Sequence, residues 1–340
     1  MITVLALLGY AACAAWCAPA LLAPLTRRGA SVRAGLAAWL AAMVGVLASF
    51  ALAISLSVAT AAADWPRLTQ ALCQSVAGAA CTPGVYRSLL YQVGVTVLAV
   101  VLALASVAAL WRYTARVQRS RSQTREHART ALLVGRAIAD SAAGALAGRP
   151  GSPVGGARTV MLDDPRPAAY CVAGRPAAIV VTSGALAVLD PPQLGAVLAH
   201  ERAHLVHGDH FFRTLTRGLA SAFPAVPLFT RGAAEVARLT EMAADDTAAR
   251  ASGRPALIAA LLAIATGTAV QSAVIQGTAA QGGTAPGGLM AAAAYAVPER
   301  VDRLLRPVSR ATSVAFTSAL TLTLAPLAAA PLALTFLAVK

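Results

Sequence analysis

Four of the five histidines in this 340-residue chain lie in one short segment, AVLAHERAHLVHGDH, at residues 196–210. Within it, His200, Glu201 and His204 form the pattern H-E-x-x-H. Positions four apart share one face of a helix, so both imidazoles can bind one metal ion. The glutamate can then reach a water molecule at that metal and take its proton. The pattern therefore predicts one Zn²⁺ ion per chain and a hydrolytic reaction.

The alternative interpretation is an exposed helix that carries three unrelated polar residues. However, the apolar run LGAVLA, residues 194–199, leads directly into the motif. A helix with such a run is buried, and unpaired charges inside a protein are costly. We therefore favour the metal site.

A catalytic zinc site needs a third protein ligand, and the segment ARLTEMAADDTAAR at residues 237–250 offers one. Glu241 and Asp245 are four residues apart, so on a helix both can face the zinc. We expect Glu241 to complete a His₂Glu site and Asp245 to accept the outward N–H of a ligating imidazole. The alternative is a solvated acidic face, and we assign Asp246 and Glu235 to such a face.

The sequence gives less reason to assign the remaining histidines to the metal site. His207 follows His204 by three residues, so it is either a further ligand or a residue that contacts a ligand or solvent, and we favour the latter. His210 and Asp209 follow the expected end of the helix and receive no role. His127 stands among arginines and is expected to be solvated.

Local signals place the motif in an α+β domain. Asp190 and Pro191 are typical of a helix start, and Gly208 of its end. Upstream, residues 159–174 and 177–189 indicate short strands, with turns at Asp164-Pro165 and Gly174.

The composition indicates a membrane protein, because only 12% of the residues are charged and 58% are hydrophobic. Soluble proteins have about 25% charged residues. The net charge of +14 also suggests nucleic-acid binding as a possible function. We exclude it, because the arginines flank apolar runs and no nucleic-acid-binding motif is present.

Four apolar runs are long enough to cross a bilayer, at residues 2–25, 35–63, 89–111 and 313–339. The first could be a cleaved signal peptide, but no basic residue precedes it and it is too long. Arginine-rich segments at 26–34, 112–129 and 300–310 are expected to be cytoplasmic. The expected domains are listed here: three transmembrane helices in 1–111 with an extracytoplasmic loop at 64–88, a cytoplasmic domain at 112–312, and a C-terminal transmembrane helix in 313–340.

Two further apolar stretches are not predicted to cross the membrane. His204 and Glu241 must lie on one side of the membrane, and the segment between them is too short for two crossings. Residues 215–230 are therefore expected to dip into or lie on the membrane, or to pack in the core. Residues 255–276 are interpreted as a buried helix. The low-complexity segments at 144–158 and 277–297 are expected to be loops.

Cys73 and Cys81 share the expected loop at 64–88. If that loop is extracytoplasmic, a disulfide between them is chemically allowed. The alternative is that all five cysteines are free thiols.

Two segments together resemble a known group of enzymes: IVVTSGALAVLDPPQLGAVLAHERAHLVHGDH at 179–210, and EMAADDTAA at 241–249. They are similar to the gluzincin membrane metallopeptidases, which include the CAAX prenyl proteases, the bacterial heat-shock membrane metalloproteases and the β-lactam-sensor (BlaR/MecR-type) peptidases. The layout of spans and the segment AVPERVDRLL at 296–305 resemble the short actinobacterial form of the sensor group most.

The resemblance implies that His200, His204 and Glu241 bind zinc and that Glu201 is the general base. It also implies that the strand around residues 179–181 is the sheet edge on which an extended substrate lies. The penicillin-binding domain of the sensors is not expected, because the chain ends shortly after the last span. The motif does not identify the group that stabilises the oxyanion, for which His207 and Arg250 are the candidates.

We therefore predict an α-helical membrane protein with a cytoplasmic zincin-like metallopeptidase domain. Its partners would be the lipid bilayer and protein or peptide substrates, either membrane-associated or cytoplasmic. One alternative is a signal relay that cleaves a transcriptional repressor when a partner senses stress. Another is a non-catalytic metal-binding scaffold, against which Glu201 argues, because a scaffold needs no general base.

The topology can be tested with reporter fusions at residues 75 and 150. The arginine clusters predict that the two reporters lie in opposite compartments, the first outside and the second inside. Equal signals from both fusions would contradict this topology and remove the basis for the Cys73–Cys81 disulfide.

Overall fold

The computed structural model describes residues 2–27, 31–76, 83–137, 157–173, 177–278 and 297–339. Within these ranges the helices are α1 (Ile2–Arg27), α2 (Val32–Val76), α3 (Pro83–Val134), α4 (Ser183–Val188), α5 (Pro191–His207), α6 (Asp209–Ala222), α7 (Pro227–Ser252), α8 (Arg254–Thr278), α9 (Val297–Leu305) and α10 (Arg310–Val339). The strands are β1 (Arg136–Ala137), β2 (Arg158–Leu162), β3 (Ala169–Val172) and β4 (Ala178–Thr182).

The chain divides into two compact units. The membrane unit comprises Met1–Arg116, Thr216–Ala233 and Val314–Lys340, and the sheet unit comprises Val117–Leu215 and Ala234–Ser313.

In the described part of the membrane unit, three helical segments are long and apolar enough to cross a bilayer: Ile2–Arg27, Val32–Ala63 and Val93–Arg119. They coincide with the first three spans expected from the sequence. Helix α10 is continuous, but its described apolar stretch covers only Ala311–Ala325. The fourth span therefore stays a prediction.

Most of the described residues of the segment expected as a loop at 64–88 are helical. Helix α2 continues past the span to Val76, and α3 begins at Pro83. The reason is that residues 67–76 contain several good helix formers and no glycine or proline. The predicted Cys73–Cys81 disulfide lies outside the residues whose side chains the structure describes.

Residues 216–233 pack with the spans rather than with the rest of the expected 112–312 domain. A Cβ atom on Gly232 would contact the Met43 side chain and lie 3.1 Å from the Trp39 ring, which is fully buried. Leu228 and Phe229 are buried in the same unit. The segment thus packs against α2 at Gly232, and the choice between entering the membrane, lying on it and packing in the core stays a prediction.

The sheet has the strand order β1-β2-β4-β3. Strands β2 and β4 are parallel, with Val160 opposite Val180, whereas β3 and β4 are antiparallel, with Cys171 opposite Ile179. Strand β4 is thus internal and β3 lies at an edge of the described sheet.

The expectation that residues 179–181 form the edge strand is wrong. Every residue of β4 is buried, because apolar side chains cover both of its faces. Ile179 and Val181 pack against the helices, while Val180 packs against Val160 and Val172. A strand that is apolar on both faces belongs inside a sheet.

The prediction that residues 183–189 continue as a strand is also wrong, because the chain forms α4 there. The Thr182 hydroxyl accepts a hydrogen bond from the Ala185 backbone N–H and so caps this helix. The preceding residues have high β propensity, so the sequence pattern did not indicate that Thr182 is an N-cap.

Helix α5 follows the sequence prediction closely. Asp190 accepts a hydrogen bond from the Gln193 backbone N–H at 2.8 Å, and the Gln193 side chain accepts one in return, which is a capping box. Gly208 ends the helix with a φ of 66°, a left-handed conformation that favours glycine. Leu194 and Val197 bury one face of α5 against the sheet and Ala260 of α8. Residues 255–276 are helical as expected, and Leu257 and Ala260 are buried, whereas the burial of residues 269–276 lies outside the described side chains.

We predict that Gly184→Ala destabilises the sheet unit by about 1–3 kcal/mol. An added Cβ would collide with the Pro165 carbonyl oxygen and lie 2.8 Å from the Arg166 carbonyl carbon, and neither backbone atom can move aside easily. Thermal unfolding of the purified protein checks this. The control is Gly94→Ala, where no atom lies within 4 Å of the added Cβ. Equal melting temperatures for both variants would contradict the prediction.

Candidate active site

Helix α5 places two buried imidazoles one turn apart. His200 Nε2 and His204 Nε2 lie 3.1 Å from each other, and both side chains are at least nine-tenths buried. The Nε2 atoms face each other because positions four apart project from the same side of the helix.

The Glu241 carboxylate, on α7, lies near the Nε2 atoms of both imidazoles. Its Oε2 lies 3.4 Å from His200 Nε2, and its Oε1 lies 3.6 Å from His204 Nε2. Ligands about 2.0–2.1 Å from a tetrahedral zinc ion are about 3.3 Å from one another. The two Nε2 atoms are close to that separation, and one Glu241 oxygen lies within 4.8 Å of both, so the donor set fits zinc.

Asp209 holds the second imidazole from behind. Its Oδ2 lies 2.7 Å from His204 Nδ1, and its side chain is buried. The sequence interpretation missed this residue. The signal was available, because the break at Gly208 lets the chain turn so that the first residue of α6 faces back towards the helix it has just left.

Asp245 occupies the corresponding place behind the first imidazole. Its Oδ1 lies 3.1 Å from His200 Nδ1, although the contact is not aligned as a hydrogen bond. Asp245 is 1% exposed and receives two hydrogen bonds from Arg300, from Nε at 2.7 Å and from Nη2. Arg300 Nη1 also lies 3.3 Å from Glu241 Oε2.

The electrostatics of the cluster favour positive charge at the imidazoles. Burial alone lowers the pKa of His204, but the carboxylates of Asp209 and Glu241 outweigh it and raise this pKa to about 10. Asp245 and Glu241 likewise raise the pKa of His200 against the effect of burial. Carboxylates that stabilise protons on two ring nitrogens also stabilise a divalent cation in the same place.

The carboxylates respond in the opposite direction. Burial raises the pKa of Glu241, yet His200 and His204 hold it well below its usual range. Burial also raises the pKa of Asp245, and Arg300 and His200 more than offset this. Both groups are therefore negative, as a metal ligand and a partner of a ligand must be.

Two arginines reach the cluster, and neither was expected from the sequence. Arg300 is buried, and Arg213 of α6 donates a hydrogen bond to Glu241 Oε1 at 2.8 Å. The candidates proposed for the oxyanion do not lie with them. Arg250 instead donates to Thr247 at an exposed position, because it lies in the last turn of α7, and His207 is not part of the cluster of described ligand residues.

Glu201 lies beside the ligands on α5. Helix α5 packs on edge strand β3, where burial, followed by the charge of the nearby Glu201 carboxylate, raises the pKa of the Cys171 thiol. The general-base candidate therefore lies near an edge of the described sheet.

One of the two acidic residues assigned to a solvated face is not solvated. Glu235 is 5% exposed and accepts a hydrogen bond from Arg238 at 2.8 Å, because it lies on the inner side of α7. Asp246 is partly exposed and pairs with Arg303 at 2.7 Å.

Comparison with known proteins identifies the family of the chain. The family model for peptidase family M48 matches residues 134–306, which include both ligand helices. The chain belongs to peptidase family M48. Peptidases of this family are zinc-dependent, which agrees with the candidate donor set of two imidazoles and one carboxylate.

Individual relatives carry the name protease HtpX homolog. The chain is 37% identical over 86 residues to one from Ralstonia nicotianae, which covers 25% of this chain and 29% of the relative. It is 40% identical over 67 residues to one from Acidiphilium cryptum, covering 19% and 23% respectively. The alignments thus span less than a third of these relatives. No solved structure matches the chain.

The family match and the three apolar helices indicate a membrane protein of peptidase family M48. The resemblance to gluzincin membrane metallopeptidases is confirmed at the level of the family. The sensor-type assignment within that resemblance stays a proposal.

We predict that the purified protein holds about one zinc ion per chain and that Glu241→Gln weakens zinc binding by at least about tenfold. The amide cannot supply the negative charge that the two imidazoles and the cation require. Competition with a zinc chelator measures the affinity. Asp246→Asn is the control, because it changes a carboxylate on the same helix that pairs with Arg303 instead. Unchanged zinc affinity in Glu241→Gln would remove this residue from the site.

Proposed function

We propose that the protein is an integral membrane zinc endopeptidase in which His200, His204 and Glu241 hold the metal and Glu201 is the general base. The observation that carries this proposal is a donor set of two buried imidazoles and one half-buried carboxylate, close enough together for one zinc ion, with Glu201 beside it on the helix that packs on β3. Zinc bound there would act as a Lewis acid on the scissile carbonyl.

The role of Glu201 follows from its position. A carboxylate at the open side of the site can take the proton of the attacking water and pass it to the leaving amine. This residue also argues against a non-catalytic scaffold, because a structural zinc site has no use for such a base.

We propose that the substrate adds to strand β3. A free sheet edge offers backbone N–H and C=O groups to an extended peptide. Cys171 of β3 lies near Glu201, so a peptide paired with this strand would pass close to the base. This proposal replaces the edge that had been expected at residues 179–181.

The location of the sheet unit is also a proposal. Arginine-rich segments adjoin the spans, and positive residues favour the cytoplasmic side. A cytoplasmic sheet unit joined to spans would act on membrane-associated or cytoplasmic proteins.

A second candidate is the signal relay, in which a partner triggers cleavage of a transcriptional repressor. It is supported by the resemblance to the β-lactam-sensor peptidases and by one feature of the chain. Arg300, which contacts the ligand Glu241, lies in α9, and only residues 306–309 separate α9 from the apolar helix α10. A change at α10 would thus have a short covalent route to the site.

We predict that Glu201→Gln retains zinc and fold but loses at least about 10²–10⁴-fold in peptidase activity. Glutamine has nearly the shape of glutamate, so packing survives, but it cannot accept the proton of the attacking water. Cleavage of a denatured membrane protein measures the activity, after zinc content has been confirmed.

Glu126→Gln is the matched control, since it makes the same change at an exposed position in α3. Cleavage by Glu201→Gln at the rate of this control would overturn the enzyme proposal and support the scaffold.

A further inference from the structure

The short helix α9 carries charged residues that meet a row of opposite charges on α7. Glu299 accepts a hydrogen bond from Arg238 at 3.0 Å, and Arg303 pairs with Asp246 at 2.7 and 2.8 Å. These two contacts are partly exposed. Exposed ion pairs of this kind contribute about 0–1 kcal/mol, so they help to align α9 without fixing the metal site.

Arg300 differs from these neighbours because it is buried. Its side chain is 8% exposed, and its main partner, Asp245, is 1% exposed. Nε and Nη2 donate two parallel hydrogen bonds to the Asp245 carboxylate, while Nη1 lies 3.3 Å from Glu241 Oε2. One guanidinium therefore contacts a ligand and also the residue behind another ligand.

We propose that Arg300 is a positioning residue for the metal site, acting on His200 through Asp245 and on Glu241 directly. Two parallel hydrogen bonds fix the rotation of a carboxylate better than one. With Asp245 fixed, its Oδ1 stays 3.1 Å from His200 Nδ1 and limits the rotation of that ring. The third guanidinium nitrogen keeps Glu241 turned towards the two Nε2 atoms.

Charge balance leads to the same conclusion. Helix α7 carries the carboxylates of Glu241 and Asp245 on one side, Asp245 is buried, and a buried charge without a partner is strongly unfavourable. Arg300 compensates for them without entering the donor set. Lysine could not replace it, because an ammonium group cannot make the bidentate contact and the third contact together.

The inference rests on the metal site of the proposed function but not on peptidase activity, so zinc and cobalt affinities of the purified full-length protein test it. Chelator competition should show that Arg300→Met weakens binding of both ions by about 10–100-fold. The matched control Arg303→Met removes the neighbouring bidentate pair on the same helix and should stay within about threefold of the unmodified protein. Equal losses in both variants would overturn the proposal, because they would assign the effect to docking of α9.

The route through Asp245 needs a second measurement. The double variant Arg300→Met with Asp245→Asn leaves no buried unpaired carboxylate at position 245, so it remains informative if Arg300→Met alone does not fold. If Arg300 acts through Asp245, the double variant loses less zinc affinity than the product of the two single losses. Fully multiplicative losses would contradict that route.

The visible spectrum of the cobalt-loaded protein separates positioning from mere stability. A changed ligand geometry in Arg300→Met, absent in Arg303→Met, supports positioning. Arg300→Lys should show the same spectral change as Arg300→Met, because lysine retains the positive charge but not the planar guanidinium group that makes the bidentate contact. Full rescue of the spectrum and affinity by lysine would show that charge alone suffices and would overturn the proposed geometry.

Discussion

Two imidazole nitrogens that face each other at 3.1 Å inside the protein impose the constraint on which the site depends. Two lone pairs at that distance repel each other, so either a proton lies between the nitrogens or a cation lies beside both, and burial removes the water that would otherwise separate them. The surrounding groups meet this demand. Glu241 favours a cation at the nitrogens, while Asp209 and Asp245 lie behind the two rings. Arg300 then balances the carboxylates on α7.

The fold supplies these partners through the ends and faces of a few elements. The capping box at Asp190 begins α5, and its apolar face is fixed against the buried strand β4. The left-handed turn at Gly208 ends α5 and brings Asp209 back to the second histidine. Helix α7 presents Glu241 and Asp245 one turn apart, because positions separated by four share a face.

The sequence predicted the features that depend on local spacing. The H-E-x-x-H motif, the limits of α5 and the spacing of Glu241 and Asp245 all lie within single helices. It did not predict Arg300, which reaches Asp245 across 55 residues, because no periodicity links the two segments. The position of β4 inside the sheet was misjudged, although the run AIVV has no polar residue to face solvent. The packing of residues 216–233 with α2 likewise depends on contacts between distant segments.

Zinc K-edge X-ray absorption of the purified, zinc-loaded protein tests the central claim most directly, because it reports the atoms that bind the metal without requiring a substrate. The account predicts two imidazole nitrogens and carboxylate oxygen at about 2.0–2.2 Å, with the multiple-scattering signal of histidine rings. A sulfur ligand at about 2.3 Å, or a shell of oxygen atoms without histidine, would contradict it.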